Sequence, residues 1–194
     1  MSETRGRPWH VAAAAGATAH HVFEVGAGVG LVFQPWLGLG GATALWGTLL
    51  PAWVASTRVR SRAVEAPLAF AAGMSAGAVV LHYALWPWRL RPLPYLVHAE
   101  GLRGRDLPAY NGILWAWGAS ALGALLLQTP RRLLPLAAVG AATALGFRPS
   151  ARRHFEWTRE QAASHPAWWN RAFREGRDAA QKGPPPVGAP YGRR

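Results

Sequence analysis

Cysteine is absent from the 194 residues, which removes disulfides, thiolate metal sites and a cysteine nucleophile. Lysine is nearly absent as well, with one Lys against 20 Arg. Acidic residues number only nine, and Glu24 alone falls in the interior of an apolar run. Carboxylate-bridged metal centres draw acidic side chains from several helices, so this scarcity argues against one. Charge of either sign makes up just 15% of the chain, and long stretches carry none.

Apolar residues make up 51% of the chain, with 22 Gly and 11 Trp. Mean hydropathy reaches +0.03 although the C-terminal part is polar. Gly and interfacial Trp are both enriched in and around membrane spans. The net charge of +12 comes from arginines beside these apolar runs. Arginine so placed reads as a topology signal and as contact with anionic lipid, not as nucleic-acid binding. The basic tail contains no recognised nucleic-acid module. The polar start lacks a convincing cleavage site, so the first apolar run is expected to be retained. The Ala, Gly, Arg and Pro bias accompanies a GC-rich genome, and the expected location is a bacterial plasma membrane, crossed several times.

The pattern predicts an all-α integral membrane bundle of about five transmembrane helices with a C-terminal interfacial amphipathic helix. A helix needs about 20 apolar residues to cross. Such runs fall at about 11–33, 37–55, 66–86, 110–128 and 133–147, within a bundle of residues 1–147. The last is short, and a half-crossing stays open for it. Between the third and fourth runs, residues 87–109 carry four prolines, which exclude a continuous helix. That segment is expected to lie along the interface or fold back over the bundle. Residues 148–182 form a basic tail, in which Ser150 is placed to cap a helix starting at Ala151. Its aromatics set among arginines fit either an interfacial amphipathic helix or a helix docked on the protein's own loops. Residues 183–194 read as disordered. The arginines Arg5, Arg7, Arg58, Arg60, Arg62, Arg131 and Arg132 fall on one side of a five-span layout. Arg89, Arg91, Arg103, Arg105 and the tail fall on the other, so the positive-inside count is nearly balanced. The long basic tail favours a cytoplasmic C-terminus.

The first run, residues 14–33, holds His20, His21 and Glu24 near its middle. Ionisable groups at that depth cost several kcal/mol unless they pair or face a wet cavity. On a helix, His20 and Glu24 are i and i+4, and His21 and Glu24 are i and i+3, so either imidazole can meet the carboxylate. Gly26 and Gly30 form a GxxxG pair, for which Gly73 and Gly77 of the third run offer a partner. Counting at 1.5 Å per residue puts Glu24 and His82 at roughly 20 and 24 Å from the same face. Asn111 and Tyr110 enter near that level on the fourth run. The expected catalytic set is therefore Glu24, His20, His21, His82 and Asn111. Tyr83, Tyr110, Trp115 and His98 are expected to contact substrate. His10 and Trp9 read as an interfacial anchor, His154 and His165 as solvated, and Trp46, Trp53, Trp86, Trp88 and Trp117 as belts and packing.

His20, then Glu24, then Gly26 is similar to a helix of the emopamil-binding sterol isomerases, in which a histidine and a glutamate four apart carry proton transfer. The likeness covers one helix. The family's second acidic helix has no counterpart here, because runs two to five hold no Asp or Glu in their cores.

Three functions follow. A His–Glu pair in low dielectric can share a proton and act on a lipid-soluble, isoprenoid or sterol-like substrate, as an isomerase or cyclase would. No cofactor is needed for that. His20 or His21 with His82 can instead ligate haem or a metal ion, although His20 counts roughly 6–9 Å shallower than His82. A third reading is a non-catalytic accessory subunit, with the polar cluster fixing assembly. The expected partners are membrane lipids, a lipid-soluble substrate and a homo-oligomer or larger membrane complex.

Overall fold

Proline sets where the helices begin. Pro8, Pro35, Pro135 and Pro149 each stand at the first or second position of a helix, where a missing N–H costs nothing. The computed structural model describes residues 6–59 and 61–174. Arg5, Arg60 and the expected disordered C-terminus at 183–194 lie outside the described residues, as does the tail from 175.

Six α-helices are described: α1 (Pro8–Ala27), α2 (Gln34–Arg58), α3 (Glu65–Leu85), α4 (Asp106–Gly123), α5 (Leu134–Gly146) and α6 (Arg148–Ser164). A wider turn over Ala124–Gln128 continues α4. Three stretches are long and apolar enough to cross a membrane: Gln34–Arg58, Arg62–Leu85 and Asp106–Gln128. The first helix ends at Ala27, not near 33. Gly28 adopts a left-handed conformation at its end, with φ of 82°. The Gly28 N–H reaches the Val25 carbonyl and the Val29 N–H reaches the Glu24 carbonyl, the paired bonds of a Schellman cap. The other end is capped from a distance, because Gln128 Oε1 accepts from the Trp9 and His10 amides.

Helices α3 and α5 run in the closest contact. A Cβ on Gly73 would stand 1.9 Å from the Ala137 carbonyl oxygen, and one on Gly77 would stand 2.4 Å from that of Ala141. Gly140 reciprocates against the Phe70 carbonyl. The expected pairing of Gly26 and Gly30 with Gly73 and Gly77 is therefore not what forms. Gly30 lies beyond the helix with φ of 86°, and nothing stands within 4 Å of a Cβ on Gly26. The third-run glycines meet α5 instead.

The proline-rich connection folds back over the bundle as an antiparallel hairpin, β1 (Trp88–Arg91) with β2 (Leu93–Leu96). Pro94 pairs with Leu90 at a position that faces away from β1, and its carbonyl accepts from Tyr83 and Trp115 instead, so its missing N–H costs no ladder bond. The four prolines announce a break in helix there but not these strands. Leu96, fully buried, plugs the hairpin into the bundle.

Helix α6 starts at Arg148, with Pro149 in its first turn and no side-chain cap, so Ser150 is not its cap. His154, Thr158 and Ala162 form its buried stripe at i, i+4 and i+8. His154 is 3% exposed, contrary to the solvated expectation, and its Nε2 donates to the Val29 carbonyl at 3.1 Å. Arg171 donates to the Gly26 carbonyl and Arg159 pairs with Glu100. The tail's apolar stripe is thus spent on the protein's own loop after α1. His10 is also buried and not an exposed anchor.

Burial pushes the His154 pKa down to about 4, against the upward pull of its bond to Val29. In the undocked tail the ring titrates near 6.5. Docking is therefore fully favoured above about pH 6.5 and weakens as pH falls toward 4, by about 3 kcal/mol in all. Limited proteolysis should cut the tail faster near pH 4.5 than near 7.5, and His154→Gln should level the two rates.

Candidate functional site

Helix α1 carries His20, His21 and Glu24 inward because Ala13, Ala14 and Ala17 on the same stripe let it pack closely on its neighbours. Gly16 meets Trp117 of α4, with a Cβ there 2.8 Å from the Trp117 Cβ. Tyr110, Leu114, Trp117 and Ala121 form the buried stripe of α4 that faces it. His82 enters from the end of α3.

These elements bring together five of the nine expected site residues. His20 Nε2 stands 3.4 Å from Glu24 Oε2. The Tyr110 hydroxyl donates to Glu24 Oε1 at 2.8 Å. The His20 ring lies edge to face with His82 at 4.8 Å between centroids and with His21 at 5.0 Å. The expected 6–9 Å stagger of His20 and His82 is not found. Residue counting takes both helices as upright and level, and tilt and vertical offset close that gap. Trp117 stacks on His20 at 5.0 Å and Trp46 lies 4.0 Å from His21. These two tryptophans wall the cluster, whereas the sequence reading gave them to belts and packing. The i, i+7 spacing of Tyr110 and Trp117 is the signal for Trp117.

The tautomers of two rings follow from their partners. A carbonyl oxygen only accepts, so Nδ1 of His82 donates to Ala78 O at 2.6 Å and Nδ1 of His21 donates to Ala17 O at 2.7 Å. When neutral, both rings therefore offer an Nε2 lone pair. Nδ1 of His20 is buried without a hydrogen-bond partner.

The other four residues hold the hairpin and the connection after it. Asn111 accepts from the Leu96 amide at 2.7 Å and donates to the Leu96 and Leu107 carbonyls at 3.1 and 2.9 Å. Tyr83 and Trp115 both donate to the Pro94 carbonyl, at 3.1 and 2.7 Å. His98 is exposed and meets the edge of Trp86. Asn111→Ala strands a buried N–H and carbonyl at Leu96, at a cost of about 3 kcal/mol. Hydrogen exchange at the Leu96 amide should rise in that variant, with the His–Glu cluster left in place.

Beside the cluster lies a cavity of about 310 Å³ between α1, α2, α3 and the α5–α6 corner. Its polar lining is His20, His21, Glu24, Ser75, His82 and His154, and the rest is aliphatic and aromatic. The volume is at the small end of ligand pockets. Trp53 and Trp46 close it on the α2 side, Phe147 and Phe155 at the tail. A carboxylate here faces few competing donors, so each of its two contacts counts strongly. His20, Glu24 and His82 each offer one donor atom, and these atoms lie within 4.8 Å of one another. No family model matches the chain, and no curated protein or solved structure matches it either.

Proposed function

We propose that the chain is a multi-pass protein of the bacterial plasma membrane that performs acid–base chemistry on a lipid-soluble substrate, an isoprenoid or sterol-like molecule, in the manner of an isomerase or cyclase. In this reading α1 and α5 complete a five-span bundle. Helix α1 has the 20 residues a crossing takes. Helix α5, at 13 residues, spans about 20 Å and crosses only where the bilayer is thin or as a half-span. Val22, Val80, Leu126 and Leu127 are exposed and suit contact with lipid tails.

One observation carries the chemistry: Glu24 is held by Tyr110 and His20 at the wall of a largely apolar cavity. A greasy substrate fits the walls, and four of the groups able to move a proton, His20, His21, Glu24 and His82, stand at one place. His82 and His21 present acceptor nitrogens beside that place. The test is the lipid that the protein carries. Extraction of detergent-purified protein should yield an isoprenoid or sterol-like molecule by mass. Ala71→Phe, which fills the cavity wall, should lower its amount severalfold. Bulk phospholipid alone, in equal amounts from both proteins, would favour an accessory subunit instead.

A further inference from the structure

We infer that His20, Glu24 and His82 form a binding site for one divalent transition-metal ion, with its open position facing the cavity. The inference rests on the reading above for the pocket and its lipid-soluble occupant. It adds an ion on Glu24 Oε2 and leaves Oε1, which Tyr110 holds, for the proton.

The donor set is two imidazoles and one carboxylate, drawn from two helices. That set serves catalytic zinc and mononuclear iron, in both of which a position stays open for water or substrate. Ligand atoms at about 2.0–2.1 Å from an ion in tetrahedral array stand about 3.4 Å apart. His20 Nε2 and Glu24 Oε2 already stand at 3.4 Å. His82 completes the set, its donor atom lying within 4.8 Å of the other two.

Two of the three ligands already have the outer hydrogen bonds a metal site needs. Metal-bound histidines donate their other N–H to a carbonyl or carboxylate, and bound carboxylates are hydrogen-bonded in turn. His82 donates Nδ1–H to Ala78 O, and Tyr110 donates to Glu24. His20 Nδ1, the nitrogen that would not face the ion, has no hydrogen-bond partner, so of the three ligands this ring alone lacks its outer bond. Trp117 stacks on His20 and closes one side, which leaves the cavity as the open side.

Full-length protein in mild detergent, purified without chelator, should carry close to one equivalent of zinc or iron by elemental analysis. After stripping with a chelator, titration with cobalt(II) alone should produce visible d–d bands of low-symmetry coordination. His82→Ala should weaken cobalt uptake by at least 100-fold, and His98→Ala, at an exposed ring, should leave it unchanged. Tyr110→Phe keeps all three ligands and should weaken uptake 10–100-fold. It decides the matter should His82→Ala fail to elute like the wild type. No uptake by wild-type protein overturns the inference, as does unchanged uptake in Tyr110→Phe. Stripped protein that still converts lipid removes the ion and leaves the acid–base reading standing. Protein that binds cobalt yet neither holds nor converts lipid removes that reading and keeps the ion.

Discussion

Gly73→Ala should cost the protein about 3 kcal/mol or more and lower its thermal midpoint by roughly 6–12 °C. The added methyl would stand 1.9 Å from the Ala137 carbonyl oxygen, where real Cβ contacts do not fall below 3.0 Å. The obstacle is backbone, not a side chain that can turn away, so α3 and α5 must separate. Separation also lifts Gly77 from Ala141 and Gly140 from Phe70, because the three contacts form one seam. Dispersion between close backbones is what holds apolar helices together where lipid competes equally for their side chains. Gly26→Ala is the matched control. Its Cβ meets nothing within 4 Å, and alanine favours the helix, so stability should hold or rise slightly. Thermal melts of the two variants in the same detergent check both expectations. Equal losses would mean that α3 and α5 do not meet along Gly73.

The contrast between these glycines shows what the sequence made legible. Small residues at a four-residue spacing announce a close helix contact, and the chain has such a contact at Gly73 and Gly77. The spacing does not name the partner. Gly26 and Gly30 show the same letters, but Gly28 ends the helix between them, and a glycine serves a cap as readily as a seam. Apolar runs located α2, α3 and α4 within a few residues, because burial in lipid leaves a long uninterrupted signal. The hairpin left no such signal: its strands are four residues each and three prolines lie in or beside them. The docked tail was readable only as one of two possibilities, since an amphipathic stripe states that something covers it and not what.

The site divides in the same way. His20 and Glu24 could be paired from sequence alone, because helix periodicity fixes an i, i+4 contact. His82 and Tyr110 reached the cluster through rough depth counting, which works for parallel rods and fails at the level of single ångströms. Asn111 shares the depth of Tyr110 but sits one residue, about 100°, around the helix, which turns it toward the hairpin. Depth was legible and azimuth was not, and azimuth is set by the partner helix.

Glu24→Gln should lower lipid turnover by about 10²–10⁴-fold, the usual worth of a positioned general acid or base. The substitution is nearly isosteric, and the amide oxygen can still accept from the Tyr110 hydroxyl at the place where Glu24 Oε1 stands 2.8 Å away. It cannot take or give a proton. Cavity shape is preserved, so the lipid carried through purification should remain close to the wild-type amount while its conversion stops. That split separates chemistry from binding: loss of both together would point to a collapsed pocket, and loss of neither would sink the role of Glu24. Tyr110→Phe supplies the graded case. It removes one of the two contacts that hold the carboxylate and leaves His20 opposite, so turnover should fall less, by about 10-fold, the worth of one hydrogen bond to a charged group. A Tyr110→Phe effect as large as that of Glu24→Gln would make the phenol, not the carboxylate, the group that carries the proton. Comparing the two rates on the same extracted lipid therefore assigns the proton to one oxygen or the other.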